Sequence, residues 1–202
     1  MTGLAEEFGS IDIYVFDQLL RGRIAPGMRI FDAGCGSGRN LVHFLRGGYE
    51  IGGNDQDAAA IAQVRALHDS LAPGRRYDFR VESIEKTSFA DAAFDVVMAS
   101  AVLHFARDEA HFAAMIRQLW RVLAPGGLFF ARLASTIGIV DEVRALGNGR
   151  YRLPDGSDRF LVDAAAIESW TAALGGTLID PIKSTLVHKQ RSMTTWVARK
   201  RS

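Results

Sequence analysis

The sequence predicts an α/β protein, in which a mostly parallel sheet carries helices on both faces and ends in an antiparallel strand. Two observations predict this fold class. Segments with the pattern of a strand alternate with segments of helical pattern over residues 28–133, as a parallel sheet with right-handed crossovers requires. Two later strand-like runs, 177–187 and 192–199, are separated by only a few residues, which permits a hairpin but no crossover.

The composition is that of an ordinary folded domain. The chain has 202 residues, of which 48% are hydrophobic and 23% charged, enough to bury a core without disulfides or a metal. A net charge of +1 does not favour nucleic-acid binding, and the single cysteine, Cys35, cannot form an internal disulfide. We expect one cytoplasmic domain, a monomer or homodimer, with no metal site, no nucleic-acid partner and no membrane segment.

The first elements surround a glycine-rich loop. Apolar residues of 10–22 fall on one helical face, with Ser10 as the expected N-cap, so a leading helix covers a ligand cleft. A strand over 28–33 precedes glycines at 34, 36 and 38, and a helix over 39–46 follows. Such a junction brings backbone amides and a helix N-terminus close to a ligand.

The remaining elements continue the alternation. The pattern predicts strands at 49–54, 76–81, 94–99 and 128–133 and helices at 57–71, 108–123 and 163–174. The run 94–99 is almost wholly apolar, as expected of a central strand buried on both faces. We divide the chain into an N-terminal helix cap (1–27), a binding core (28–134), a candidate lid insertion (135–160), and a terminal helix with hairpin (161–202).

The glycine loop has chemistry that narrows its ligand. Its spacing is G-x-G-x-G, and Arg39 stands where the dinucleotide pattern needs a third glycine. Asp32, two residues before the first glycine, would repel a pyrophosphate and suits a cationic amino group. Asp55, at the end of the second strand, can accept hydrogen bonds from both hydroxyls of a ribose. An amino-acid-like cation joined to a ribose describes S-adenosylmethionine.

Four segments resemble the successive motifs of class I S-adenosylmethionine-dependent methyltransferases: FDAGCGSGRN, GYEIGGNDQD, FDVVMASAVLHF and LWRVLAPGGLFF. The resemblance implies a Rossmann-like seven-stranded sheet with an antiparallel last strand, S-adenosylmethionine as cofactor, S-adenosylhomocysteine as product and an enzyme of the EC 2.1.1 class. The closing RSMTTWVARK and the phrase GCGSGRN also resemble the small tellurite-resistance type, whose members modify small nucleophiles.

By this resemblance, the cofactor is bound by the loop and by residues that follow the strands. The expected set is Asp32, Gly34, Cys35, Gly36, Gly38, Asn40, Asp55, Gln56, Glu82, Ser83, Ile84 and Ala99. Asp32 and the loop contact the methionine moiety, Asp55 the ribose, and residues 82–84 the adenine edge. Many relatives carry aspartate where this chain has Ser83, so the adenine contact comes from the Ser83 hydroxyl, from Glu82 or from backbone. The Cys35 side chain is expected to pack beneath the loop.

Candidates for the acceptor side are less sharply defined. Substrate-binding candidates are Ser100, His104, Arg132, Arg150 and Arg152, and catalytic candidates are His104, His188 and Arg191. His104 either orients substrate or accepts a proton, or it caps the next helix. The arginines around the Pro-Asp-Gly turn at 154–156 either face an anionic substrate or lie in solvent, and the same alternatives hold for the terminal turn at 188–191.

The predicted function is methyl transfer from S-adenosylmethionine to a small-molecule nucleophile, a thiol, oxyanion, hydroxyl or amine. In-line displacement requires mainly that donor and nucleophile be held together and water excluded. No firmly placed base stands in the sequence, which favours soft or already anionic nucleophiles. The alternative is a non-catalytic sensor or partner subunit that binds the cofactor or its product.

Overall fold

The computed structural model describes residues 3–202. The helices are α1 (Leu4–Phe8), α2 (Ile13–Leu20), α3 (Val42–Gly47), α4 (Ala58–Leu71), α5 (Glu109–Val122) and α6 (Ala164–Ala173). The strands are β1 (Arg29–Ala33), β2 (Glu50–Asp55), β3 (Tyr77–Val81), β4 (Phe94–Ser100), β5 (Leu123–Ala134), β6 (Arg144–Gly147), β7 (Arg150–Arg152), β8 (Asp158–Phe160), β9 (Gly176–Leu178), β10 (Lys183–Val187) and β11 (Arg191–Lys200). Over these described residues, every helix is too short or too polar to cross a bilayer.

The central sheet confirms the predicted fold class. Its order is β3-β2-β1-β4-β5-β11, with β9 and β10 both paired to the outer side of β11. Strands β1 to β5 run parallel, and β11 runs antiparallel to β5. Chain order reverses between β1 and β4, and ligands of open α/β sheets bind at such a switch point, at the carboxyl ends of the strands.

Alternation along the central strands divides the core between the two faces of the sheet. On one face Ile30, Val96 and Phe130 pack with α2, α3 and α4. On the other face Phe31 and Val97 pack with α5 and α6. Because successive side chains of a strand point to opposite faces, the almost wholly apolar run 94–99 of β4 is buried on both, as its sequence predicts.

The leading helix begins later than predicted. Asp12, and not Ser10, is the N-cap of α2: its Oδ1 accepts a hydrogen bond from the Tyr14 amide at 2.9 Å. The prediction of Ser10 was wrong because aspartate and serine are equally good caps, and only the tertiary partners of Asp12 select between them. The short helix α1 precedes it, and Phe8 stacks on His43 with ring centroids 4.7 Å apart.

The predicted strand at 177–187 is interrupted. Its two parts, β9 and β10, pair with residues 198–200 and 191–195 of β11, so together they occupy the seventh position of the sheet. Between them Pro181 lacks an amide hydrogen for the ladder. Asp180 turns inward to accept hydrogen bonds from Gln18 at 3.1 Å and to pair with Arg23 at 2.8 Å.

The segment 135–160 is more regular than its sequence suggests. It contains a separate three-stranded antiparallel sheet in the order β6-β7-β8. A turn with positive φ at Gly147, Asn148 and Gly149 joins β6 to β7. Phe160 stacks on Phe112 of α5 with ring centroids 4.6 Å apart, which anchors this small sheet to the domain. Its role as a lid stays a prediction.

Candidate functional site

A cavity of about 330 Å³ opens at the carboxyl ends of β1, β2 and β3. We call it the glycine-loop cavity, and its lining residues are Gly34, Asp55, Gln56, Glu82, Ser83, Ile84, Glu85, Val102, Phe105, Arg107, His111 and Met115. Six of these were expected to hold the cofactor: Gly34, Asp55, Gln56, Glu82, Ser83 and Ile84. The switch point of the sheet therefore carries a concave site where the sequence predicts one.

The three loop glycines have distinct reasons for lacking a side chain. All three have positive φ, at 64° for Gly34, 54° for Gly36 and 85° for Gly38. A Cβ on Gly34 would lie 2.5 Å from Val102 Cγ2, and one on Gly38 would lie 2.7 Å from Val64 Cγ2. A Cβ on Gly36 would meet nothing within 4 Å. Gly34 and Gly38 permit close packing, whereas Gly36 leaves open space beside the loop.

Asp55 and Asn54 at the end of β2 hold the loop in this shape. Asp55 Oδ2 accepts a hydrogen bond from the Gly36 amide at 3.0 Å, and its Oδ1 accepts one from the Asp57 amide at 3.0 Å. Asn54 Oδ1 accepts from the Gly34 amide at 3.3 Å. Because each carboxylate oxygen has two lone pairs, Asp55 can still accept two further donors on its cavity side. The sequence pattern did not predict a role for Asn54, although its position next to Asp55 could have indicated one.

Asp32 is a buried carboxyl group that lacks a complete set of partners. It is 2% exposed, and its Oδ2 has no hydrogen-bond partner. Burial raises its pKa to about 7; Arg39 opposes this shift and Asp55 adds to it. A buried polar atom without a partner calls for an explanation, and a cationic ligand at the loop supplies one.

These features fit S-adenosylmethionine, because each of its chemical groups has a matching residue. Asp32 suits the ammonium group and Asp55 suits the ribose hydroxyls. The apolar side chains of Ile84 and Met115 suit the adenine ring. Glu82 is more fully engaged than Asp55, since its carboxylate accepts the Ser88 amide at 2.9 Å, the Ser88 hydroxyl and the Thr87 hydroxyl at 3.4 Å. Among the alternatives for the adenine edge, this favours the Ser83 hydroxyl or the backbone over Glu82.

His111 and Glu85 also line the cavity and were not predicted. His111 Nδ1 accepts a hydrogen bond from the Arg107 amide at 3.1 Å, which leaves the proton of the neutral ring on Nε2. That Nε2 lies 3.3 Å from Glu85 Oε1 but without hydrogen-bond alignment. His111 in its turn donates its backbone amide to Asp108, the N-cap of α5.

A second group of polar side chains lies at the carboxyl ends of β4 and β5, under α2. We call it the arginine cluster, and it consists of Asp12, Arg39, Ser100 and Arg132. Asp12 Oδ2 accepts hydrogen bonds from Ser100 Oγ at 3.0 Å and Arg132 Nη1 at 3.1 Å, and lies 3.8 Å from Arg39 Nη2. Arg39 Nη2 also donates to Ser100 Oγ at 3.1 Å. Three donor groups thus surround one buried carboxylate.

The neighbours of the cluster fix its shape. Asn40, expected in the cofactor set, accepts the Asp12 amide through Oδ1 at 2.9 Å and so positions Asp12. Ser100 and Arg132 are register partners on β4 and β5, and Thr195 of β11 is the next partner in the same row. The Tyr14 ring centroid lies 5.4 Å from Arg132 Cζ. Helix α2 therefore covers this end of the sheet.

His104 is buried between the two sites and the small sheet. It is 7% exposed, and its Nδ1 has no hydrogen-bond partner. Its pKa is lowered to about 4, mainly by burial and in addition by the positive charges of Arg159 and Arg191. His104 is therefore neutral near pH 7. Asp108 caps α5, so the reading of His104 as that cap was wrong.

The other candidates make contacts of their own. Arg150 Nη1 donates to the Ala106 carbonyl at 3.0 Å, and the exposed Arg152 pairs with Asp158. Arg191 pairs with Asp155 at 3.2 Å, while His188 lies in an exposed turn at φ 44°. Two others, Ala99 in β4 and Cys35, are buried in the core. Burial is the main cause that raises the pKa of the Cys35 thiol, which therefore stays protonated. The roles of these residues stay predictions.

Comparison with known proteins places this architecture among the methyltransferases. A family model described as "Methyltransferase domain" matches residues 31–131. The chain is 37% identical over 117 residues to a ubiquinone biosynthesis O-methyltransferase from Methylocella silvestris, covering 56% of this chain and 44% of the relative. It is 30% identical over 112 residues to a malonyl-[acyl-carrier protein] O-methyltransferase from Erwinia billingiae, covering 54% and 40%. The chain thus spans less than half the length of these relatives.

Solved structures share the fold at low sequence identity. A methyltransferase from Methanosarcina mazei superposes with a TM-score of 0.73 at 18% identity, covering 91% of this chain and 97% of that one. The 1,6-didemethyltoxoflavin-N1-methyltransferase of Burkholderia thailandensis, solved with S-adenosylhomocysteine, gives 0.71 at 18% identity, covering 91% and 76%. With a family model over half its length and the expected sheet order, this chain belongs to the methyltransferase domain family of class I S-adenosylmethionine-dependent enzymes.

Proposed function

We propose that the chain transfers the methyl group of S-adenosylmethionine to a small-molecule nucleophile by in-line displacement. The observation that carries this proposal is the buried Oδ2 of Asp32, which has no partner although it lies beside a glycine loop with open space at Gly36. A site that keeps a carboxylate in this condition is prepared for a cation. S-Adenosylmethionine supplies such a cation and an activated methyl group.

The chain's residues divide the binding task between them. Asp32 holds the ammonium group, and Asp55 accepts the ribose hydroxyls while it keeps the Gly36 amide in place. Asn54 Nδ2 donates to the Ser83 carbonyl at 3.4 Å, so the turn at the adenine end is tied to the same strand end as the loop. When S-adenosylmethionine is bound at the ends of β1, β2 and β3 in this way, the ends of β4 and β5 are left for the methyl acceptor.

Helix α2 covers that end of the sheet and shields it in part from water. Asp12 and Tyr14 close over Ser100 and Arg132, and Tyr14 Oη hydrogen-bonds Thr185 Oγ1 of β10 at 2.8 Å. Displacement at a methyl group gains most from a dry site and a fixed approach of the nucleophile. Helix α2 therefore contributes to the reaction as part of the site for the methyl acceptor.

His104 is a poor general base for this reaction. A histidine with a pKa of about 4 is unprotonated near pH 7 but has little tendency to take a proton from an alcohol. This supports acceptors that arrive already ionised, such as oxyanions or thiolates. Both curated relatives described above are named O-methyltransferases, which supports oxygen as the acceptor atom.

A binding experiment and a screen test the proposal. We expect S-adenosylmethionine and S-adenosylhomocysteine to raise the melting temperature and NAD to leave it unchanged. A screen for S-adenosylhomocysteine release with oxyanions, thiols, phenols and amines should then find turnover. Stabilisation by NAD alone would contradict cofactor binding. Cofactor binding without turnover on any acceptor class would favour the sensor.

A further inference from the structure

The side chains of the arginine cluster have a net positive charge. Two guanidinium groups, Arg39 and Arg132, approach one carboxylate, Asp12. The other carboxyl group near Arg39 is Asp32, whose raised pKa of about 7 leaves it only partly ionised near pH 7. Ser100 adds a hydroxyl but no charge. The nearby Lys183 lies 3.9 Å from Asp17, a carboxylate that it shares with Arg21 at 2.8 Å, so Asp17 adds no negative charge to the cluster. An excess positive charge beneath a covering helix requires an anion, from solvent or from a ligand.

Two donors in the same place lack acceptors. Arg132 Nε is buried without a hydrogen-bond partner, and so is Thr195 Oγ1 on the neighbouring strand. Arg132 and Thr195 are register partners, so their side chains lie side by side on one face of the sheet. An unpartnered guanidinium N–H beside an unpartnered hydroxyl forms a pair of donors suited to two oxygen atoms of one anion.

Arg39 connects the cluster to the glycine loop. Its Nη2 donates to Ser100, and the same guanidinium is close enough to Asp32 to lower the pKa of that carboxyl. Arg39 therefore lies near both the buried carboxyl group that precedes the loop and the end of β4. Its side chain is 47% exposed and that of Arg132 is 22% exposed, so the cluster can be reached from the Arg39 side.

We propose that Arg39 and Arg132, held in position by Asp12, bind an anionic group of the methyl acceptor, which is therefore a small organic anion with a carboxylate or an ionised oxygen. This inference rests on the proposed methyl transfer and names its substrate class. Asp12 is a positioning residue: its Oδ1 and its amide are fixed by Tyr14 and Asn40, so it stays in place as an acceptor binds. Arg132 then presents Nε and its second Nη, and Arg39 its exposed edge.

The test uses the full chain with saturating S-adenosylhomocysteine and a panel of aliphatic and aromatic monocarboxylates, from acetate to 4-hydroxybenzoate, each paired with its carboxamide. We expect carboxylates to bind the wild type at least about tenfold more tightly than their carboxamides, because charge-assisted bonds to arginine need the anion. In Arg132→Met and in Arg39→Met this ratio should fall to about one. Arg132→Lys, which keeps the charge but loses Nε, should retain part of the preference.

Two controls separate the sources of an effect. Arg199→Met removes an exposed arginine of the same strand as Thr195, whose Nη1 donates to the Gly126 carbonyl, and should keep the full carboxylate preference. The affinity for S-adenosylhomocysteine, measured by calorimetry, should be unchanged in Arg132→Met. If that affinity falls instead, Arg132 serves the carboxylate of the methyl donor and the inference is wrong.

One further outcome would overturn the inference. A panel in which no carboxylate binds the wild type more tightly than its carboxamide would show that the cluster is only structural. In that case S-adenosylhomocysteine binding and release still test the proposed methyl transfer separately. Failure of the wild type to bind S-adenosylhomocysteine would instead contradict the proposed function itself.

Discussion

The glycine-loop cavity and the arginine cluster meet at the same edge of the sheet, but the chain builds them differently. The cavity takes Gly34, Asp55 and Ser83 from the ends of β1, β2 and β3, within a short stretch of sequence, and the buried Asp32 lies two residues before Gly34. The cluster joins Asp12 to Ser100 and Arg132, which lie 88 and 120 residues away. The proposed site for the methyl donor is thus encoded locally, whereas the proposed site for the methyl acceptor depends on tertiary contacts between distant segments.

Of the variants that test this difference between the two sites, Asp12→Ala should have the largest effect on the free energy of unfolding. Its loss leaves Arg39 and Arg132 without their carboxylate and removes the N-cap of α2. Breaking a buried ion pair at one partner costs about 3–5 kcal/mol. Urea unfolding should show a loss of this size. Asp12→Asn keeps the cap and should lose less. A loss below about 1 kcal/mol in Asp12→Ala would mean that the cluster contributes little to folding.

His104 should make stability depend on pH. Its pKa is lowered from 6.5 to about 4 in the folded chain, so the unfolded chain binds the proton more readily. The stability that the neutral ring contributes is complete above about pH 6.5 and is lost as the pH falls to about 4. That contribution is about 3 kcal/mol. Between about pH 6.5 and 4 the unfolding free energy of His104→Gln should therefore fall by about 3 kcal/mol less than that of the wild type.

The control for this experiment is His188→Gln, which changes an exposed histidine. It should unfold with the pH dependence of the wild type. If His104→Gln follows the wild-type curve as closely as the control does, His104 is accessible to solvent in the folded protein and its burial has no energetic consequence.

Asp32→Asn should separate stability from binding in the glycine-loop cavity. The pKa of Asp32 is raised from 3.8 to about 7, so stability is lost as the pH rises between these values. At about pH 8 the variant should be more stable than the wild type by on the order of 2 kcal/mol and yet bind S-adenosylhomocysteine more weakly. Weaker stability together with unchanged affinity would mean that Asp32 is structural.

The smallest expected effect concerns the segment 135–160. Arg150→Met removes the bond to the Ala106 carbonyl and should cost about 1 kcal/mol in unfolding free energy. We expect the affinity for S-adenosylhomocysteine to remain and the KM for the acceptor to rise severalfold, because this bond ties β7 to the turn after β4. Arg144→Met, at an exposed position of the same small sheet, is the matched control. An unchanged KM in Arg150→Met would make the small sheet a scaffold.

The parallel sheet and the cavity were predictable because their signals are local. Each strand that ends at the cavity is followed directly by a polar residue or a glycine, and Asp57 and Asp108 begin helices where the pattern places them. The interruption of the edge strand also had a local signal, Pro181, which the long apolar run concealed. The Gly147-Asn148-Gly149 turn likewise indicated a hairpin in a segment that looked irregular.

The arginine cluster was predicted only in part: Ser100 and Arg132 were substrate-binding candidates in the sequence, but Asp12, which joins them, was not. Serine and aspartate at positions 10 and 12 have similar capping propensity, and nothing near Asp12 in the sequence indicates that Ser100 and Arg132 are its partners. Arg39 was noticed for the glycine it replaces, whereas its contact with Ser100 depends on how β1 and β4 pair. Contacts of this range follow only from the packed sheet.

The most direct test of the division between the two sites is the affinity for S-adenosylhomocysteine, measured by calorimetry on Asp55→Ala and Asp12→Asn. Asp57→Ala, which removes only the bond that caps α4, serves as control. We expect Asp55→Ala to lose about 30- to 100-fold in affinity, and Asp12→Asn and the control to stay near the wild type. Equal losses in Asp55→Ala and Asp12→Asn, or none in Asp55→Ala, would contradict the division.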